Sequence, residues 1–126
     1  MPEFIAQFVP GGLDGFTAAY LESAEWLLPE EGEVSEYIEP TGFAPEAIEQ
    51  ATRECAEFQE DYAGWLEQAG SESSNGHDLW LTRNRHGAGF WDRGYDKEIG
   101  DRLTEAAHGL GGSDCYVGDD GLIYLT

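Results

Sequence analysis

Basic residues are what this chain has least of. Six lysines and arginines stand against 26 aspartates and glutamates in 126 residues, for a formal net charge of -20. That imbalance works against direct binding to nucleic acid or to an anionic membrane, and it favours a basic partner, a cation or a salty milieu. Cysteine is also scarce. Cys55 and Cys115 are the only two, too few for a disulfide scaffold or for a zinc site of thiolates alone, and they read as small buried hydrophobes. No apolar run approaches the ~18 residues of a membrane-crossing helix. The start of the chain has no charged segment leading into an apolar one, so no secretion signal is expected and the expected compartment is the cytoplasm.

What is present is enough for a core. A hydrophobic fraction of 40% and an aromatic fraction of 13% belong to a chain that folds rather than to a disordered acidic tail. The length suits one domain over residues 1–126. Its charge is unevenly spread: residues 1–76 hold 17 acids against one base, and residues 77–126 hold nine against five. One domain with an acidic helical half and a less acidic second half is the expected organisation.

The elements follow from spacing. Residues 4–9 suggest a short strand, closed by Pro10-Gly11-Gly12. Asp14 offers an N-cap to a first helix in which Phe16, Tyr20, Ala24 and Leu27 recur at helical intervals up to Pro29. Residues 29–40 form an acidic loop without a base, with Val34, Tyr37 and Ile38 available to dock it. Pro45 then opens a long helix, at a position where its missing N–H does no harm. Ala44, Ile48, Ala51, Cys55, Phe58, Tyr62, Leu66 and Ala69 step by three and four along one stripe. Residues 70–76 read as a polar break. Residues 76–95 predict a β-hairpin, with Leu79, Leu81 and Arg83 alternating against Trp80, Thr82 and Asn84, a turn over residues 85–89, and Phe90-Trp91-Asp92 returning. Residues 96–109 predict a helix with Ile99, Leu103, Ala106 and Ala107 inward and Gly109 as its cap. Residues 114–117 and 122–125 predict a second hairpin around Gly118-Asp119-Asp120-Gly121. The predicted fold is α+β: an antiparallel sheet of about four strands from two hairpins, with two N-terminal helices and one inter-hairpin helix packed on it.

The string GHDLWLTRNRHGAGFWDRG, with DRLTEAAHGLGGSDCYVGDDGLIYL behind it, resembles a family of small proteins encoded by bacteriophages and prophages. Their shared module has the form GHDFWLTRNGHGAGFWDRG, followed by a helix and a terminal YVGDDG-type hairpin. The likeness covers roughly the C-terminal 50 residues. It implies a phage context, hence a host-cell cytoplasm, and no particular chemistry. This chain has Arg85 where the pattern has glycine and Leu79 where it has phenylalanine. Arg85 makes the turn more basic and works against a turn type that depends on glycine.

Two functional readings compete. Arg83, Arg85, His86, Asp92 and Arg93 fall within eleven residues. A His–Asp pair flanked by arginines has the chemistry for acid–base work on a phosphate ester. The plainer reading is a charged cross-strand pair beside packed aromatics. Among possible metal ligands are His77, Asp78, His86, Asp92, Asp119 and Asp120. Asp119-Asp120-Gly121 lacks the spacing of a calcium loop and reads as a turn. His77 reads as a capping or surface group, and His108 as a complement to a helix C-terminus, so neither metal nor cofactor is expected. Trp80, Phe90, Trp91 and Tyr95 could form a stacking platform, but core packing is the simpler reading and the surrounding acid opposes nucleic acid. On the long helix Glu46, Glu49, Glu54, Glu57, Glu60 and Asp61 recur at three- and four-residue spacing, about 5–6 Å apart. The loop acids Glu30, Glu31, Glu33 and Glu36 extend them. Such a row could imitate the phosphate track of a nucleic acid. The leading expectation is a non-enzymatic, DNA-mimic-like inhibitor of a basic host protein, one that binds nucleic acid or serves in defence. Dimerisation through the second half of the chain is also possible. The alternative is a small enzyme or a nucleotide- or phosphate-binding protein using Arg83, Arg85, His86 and Asp92.

Overall fold

A computed structural model describes residues 7–29, 32 and 36–126. The architecture is α+β, with five α-helices among the described residues around a small mixed sheet of three strands. The predicted four-stranded antiparallel sheet is not what forms, and the departures have local physical causes.

Helix α1 (Gly15–Trp26) lies at the centre. The Asp14 carboxylate accepts the Thr17 N–H at 2.8 Å, the capping bond that the sequence predicts. Phe16, Ala19, Tyr20, Leu21 and Ala24 are all buried, so nearly every side of this helix faces protein. The buried Glu25 carboxylate accepts the N–H groups of Gln7 and Phe8 at 2.8 and 3.0 Å. Half of the strand predicted over residues 4–9 lies outside the described residues, and in the other half Gln7 and Phe8 form a bend instead of a strand.

Helix α2 (Pro45–Asp61) begins at Pro45 as expected, but it stops at Tyr62, and a short α3 (Ala63–Glu67) carries the chain on. Apolar spacing runs through the break, since Phe58 and Leu66 are both buried. The sequence period therefore shows one helix where the backbone makes two. Gly64, a poor helix former, sits just past the break.

The largest correction concerns residues 70–92. Where a hairpin was predicted, helix α4 (Glu72–Arg83) forms, with the Ser71 hydroxyl accepting the Ser74 N–H at 3.2 Å. The polar stretch read as a break is the cap and first turn of this helix. Asn75, Gly76, Leu79, Trp80, Thr82 and Arg83 are buried at helical spacing. Because most of these are polar or glycine, a reading of apolar residues alone sees only the Leu79/Leu81 alternation and reports the wrong period. The buried polar groups of α4 are satisfied, except for the Trp80 indole N–H, which has no hydrogen-bond partner among the described residues. Asn75 donates to the Leu66 and Gly70 carbonyls at 3.2 and 3.1 Å, and the Thr82 hydroxyl accepts the Phe90 N–H at 3.2 Å.

The predicted hairpin turn is the C-cap of α4. Arg85 N–H donates to the Thr82 carbonyl at 3.0 Å and His86 N–H to the Leu81 carbonyl at 2.9 Å. Arg85 itself is left-handed at φ 56. These are the two bonds and the backbone twist of a Schellman cap, which usually carries glycine at that position. The predicted return strand is a single 3₁₀ turn over Phe90–Asp92, where the Asp92 carboxylate accepts the Gly89 N–H at 3.2 Å.

Helix α5 (Lys97–Gly109) matches its prediction closely, burying Ile99, Leu103 and Ala107. It closes on Leu110, followed by left-handed Gly111 at φ 77, rather than on Gly109. The second predicted hairpin forms from β2 (Cys115–Val117) and β3 (Leu122–Leu125), with Gly121 left-handed in the turn. An unpredicted two-residue strand, β1 (Gly42–Phe43), pairs parallel to β3 and makes the order β1–β3–β2. Against α1 the most extensive neighbour is α4. Gly76 permits that closeness, because a Cβ there would run into the Phe16 carbonyl oxygen. Tyr20 and Trp80 meet edge to face at 5.2 Å across the same seam, and Phe58 stacks on Phe90 at 6.3 Å beneath it.

Candidate functional site

Helix α2 sorts its residues cleanly. Ala47, Ala51, Cys55 and Phe58 are buried, while Glu46, Glu49, Glu57, Glu60 and Asp61 stand exposed. At 1.5 Å of rise per residue the row from Glu46 to Asp61 extends for about 22 Å. No ion pair among the described residues involves any of these five carboxylates. Arg53 interrupts the row with one positive charge. Between α2 and α5 runs a groove of about 300 Å³, lined by Phe58, Tyr62, Ala106 and Leu110 together with Glu57, Asp61 and Glu105. Arg102 crosses it, 5.8 Å from the centre of the Tyr62 ring. Glu105 carries no signal as part of this surface, because α2 and α5 are distant in sequence and only packing brings them together.

The other predicted acids fare differently. Glu54 is half-buried and takes Arg83 Nη1 at 3.2 Å, so its charge is matched inside the protein. Glu36 is exposed, and Glu30, Glu31 and Glu33 lie outside the described residues.

The alternative cluster is not gathered into one place by contacts. Arg83 is buried and fully engaged. Besides Glu54, it donates to the Tyr20 hydroxyl at 2.9 Å and to the Gly111 and Leu110 carbonyls at 2.9 and 3.4 Å. Burial in turn holds the Tyr20 phenol well above its ordinary range. Arg85 and His86 are exposed just beyond the cap of α4. Asp92 closes the 3₁₀ turn and sits 3.8 Å from Arg93. Among the described residues no hydrogen bond or ion pair links any two of Arg83, Arg85, His86 and Asp92. Of the aromatics weighed as a stacking platform, Trp80 and Phe90 lie in the core, as the simpler reading has it, while Trp91 is 54% exposed.

A second concentration of polar groups, of which spacing and composition carry little sign, lies on the α1–α4 seam. The buried Asp78 carboxylate is held by Arg93 through Nε at 3.1 Å and Nη2 at 2.8 Å. Hydrogen bonding to Asp78 keeps the Arg93 guanidinium above its usual range. His77, read as a capping or surface group, instead meets Ser23: its Nδ1 is hydrogen-bonded to the Ser23 hydroxyl, and its Nε2 lies 3.7 Å from a Glu22 carboxylate oxygen. Ser23 and His77 are 54 positions apart, and with α4 taken for a strand nothing local could join them. Beside them opens a cleft of about 300 Å³.

Neither cysteine offers a thiolate. Burial pushes both the Cys55 and the Cys115 thiol up to about 12. Among the described residues no group of three or more histidines, cysteines, aspartates or glutamates is placed to hold a metal ion. No helix among them is long and apolar enough to cross a membrane. No family model matches this chain, and no curated protein or solved structure matches it either.

Proposed function

We propose that this chain is an acidic interaction protein of phage type, which inhibits a basic host protein by presenting carboxylates where that protein expects phosphates. The partner is a nucleic-acid-binding or defence protein, met in the host cytoplasm. The observation that carries the reading is the exposed row Glu46, Glu49, Glu57, Glu60 and Asp61 on one rigid helix, with no cation of the described chain paired to it. Lysine and arginine side chains of a phosphate-binding cleft would meet charges about 5–6 Å apart, and attraction over that distance would make association fast and salt-sensitive. The groove between α2 and α5 supports the same reading, since its apolar lining can seat the methylene stems of basic side chains whose heads reach the carboxylates that line it too. The resemblance of the C-terminal 50 residues to phage-encoded proteins supplies the context.

The test is capture of proteins from a bacterial host lysate at low salt, with elution by rising salt and by added duplex DNA. A retained DNA- or RNA-binding protein should come off with either. It should be missing when Glu49, Glu57 and Glu60 are all changed to lysine in a chain that still folds. Retention that survives those three changes, or that duplex DNA cannot displace, sinks the mimic reading.

A further inference from the structure

Independently of the acidic face, the seam between α1 and α4 holds an arrangement with its own chemistry. Ser23 is 2% exposed, and a hydroxyl at that depth must place its proton on an acceptor. Serines inside helices commonly bond back to a carbonyl one turn earlier. Ser23 has no such bond among the described residues, and its partner is His77 Nδ1. With the serine proton directed at Nδ1, the imidazole carries its own proton on Nε2, the nitrogen that lies 3.7 Å from the Glu22 carboxylate. The order is hydroxyl, imidazole, carboxylate. A nucleophile within hydrogen-bond reach of a base, with that base steadied by a third group, is the signature of an activated serine. Relative to the familiar triad, the two ring nitrogens have exchanged roles while the order of groups is kept.

The surroundings are suited to a reaction. The adjoining cleft of about 300 Å³ takes Ser23 and His77 into its wall, with Trp26 and Leu81 as apolar surface and Arg93 as its one cation. Arg93 holds Asp78 through Nε and Nη2, and its Nη1 makes no hydrogen bond among the described residues. The side chain is 40% exposed, so that N–H group is available to a developing negative charge. A volume at the small end of ligand pockets, with two apolar walls, suits a short acyl group.

We propose that Ser23, His77 and Glu22 form a nucleophile–base–acid relay that hydrolyses small esters with short apolar acyl groups. Ser23 Oγ bonds to the ester carbonyl carbon while its proton passes to His77 Nδ1, and the Glu22 carboxylate stabilises the resulting imidazolium. The ester C–O bond breaks, and the leaving alkoxide takes that proton and departs as the alcohol. A water then gives a proton to His77 as its oxygen bonds to the acyl carbon. The Oγ–carbon bond breaks, the proton returns to Oγ, and the carboxylic acid leaves. Arg93 faces the oxyanion at each tetrahedral stage.

The experiment is hydrolysis of 4-nitrophenyl butyrate by the purified full chain, with labelling by a fluorophosphonate probe mapped by peptide mass. The folded wild-type chain should release nitrophenol above the buffer rate and take up one probe, on Ser23. Ser23→Ala should abolish both signals, and His77→Asn should slow both by at least about a hundredfold. Because His77→Asn could loosen the seam, Glu22→Gln, at a partly exposed side chain, serves as the second variant. It should slow turnover while leaving the melting temperature in place. A folded wild-type chain that neither labels nor turns over, or turnover that persists in Ser23→Ala, overturns the proposal.

Discussion

Helices α2 and α4 are both rich in charged and polar residues, and they dispose of them in opposite ways. On α2 every acid but Glu54 faces solvent and the interior is alanine, cysteine and phenylalanine. On α4 the polar groups face inward: Asn75, Asp78, Thr82 and Arg83 are all buried. Each of the four has a named partner, whether a carbonyl, a backbone N–H or an opposite charge. The difference teaches where specificity and function separate. A helix like α2 could tolerate many surface sequences and still fold, so a persistent run of unmatched carboxylates there asks for an external reason. A helix like α4 has little freedom, because each buried polar group is costly unless its own partner is present. Its unusual residues are explained from within, apart from His77.

Three variants sharpen that contrast, and the largest effect belongs to α4. Arg83→Met removes the cation from Glu54, the donor from the Tyr20 hydroxyl and the donors from the Gly111 and Leu110 carbonyls. A loss of about 3–5 kcal/mol is expected, as for breaking a buried ion pair from one side, and denaturant unfolding measures it. A change below 1 kcal/mol, on the scale of an exposed pair, would show that the network is not what holds α1, α4 and α5 together. Arg85→Gly acts in the other direction. Relieving a left-handed backbone of its side chain should stabilise the protein by roughly 0.5–1 kcal/mol, seen as a raised midpoint with an unchanged denaturant slope. On α2 the effect should be smallest. Changing Glu49, Glu57 and Glu60 to glutamine should move stability by no more than about 0.5 kcal/mol per site. Any shift should be toward greater stability, since like charges are being removed, and it should shrink as salt screens the wild-type repulsion. A cooperative loss of structure in the triple variant would place those carboxylates inside the folding machinery rather than on a free face.

The legibility of the sequence tracks the same divide. α2 and α5 were readable because their inner faces are apolar, and α1 because Asp14 and Pro29 mark its ends. The β2–β3 hairpin was readable from Asp119-Asp120-Gly121, where Gly121 supplies the left-handed turn residue and the Asp120 carboxylate accepts the Leu122 N–H at 2.9 Å. α4 was not readable from hydrophobicity, because its buried face is built from groups that a hydrophobic pattern counts as outward. One signal was available all the same. Ser71 and Glu72 at one end and Arg83 at the other agree with a helix between them. Of the acidic surface, the exposed row was legible in full, whereas the withdrawal of Glu54 to Arg83 was hidden, since it joins two residues that only the packed fold brings together. The Ser23–His77 contact was hidden for the same reason.

The parallel pairing of Gly42–Phe43 with Leu122–Ile123 gives α2 a dependence that its own composition does not suggest. The N–H of Ala44, the N-cap of that helix, donates to the Ile123 carbonyl at 2.9 Å, and the Thr41 hydroxyl reaches Gly121 across 80 residues of sequence. Contacts that close so long a loop cost the chain more entropy than local ones do. The hairpin therefore works as a latch on the leading turn of the acidic helix. Opening it would fray α2 at the Glu46 end first, so the row of carboxylates should keep its fixed spacing only as long as β3 stays in place.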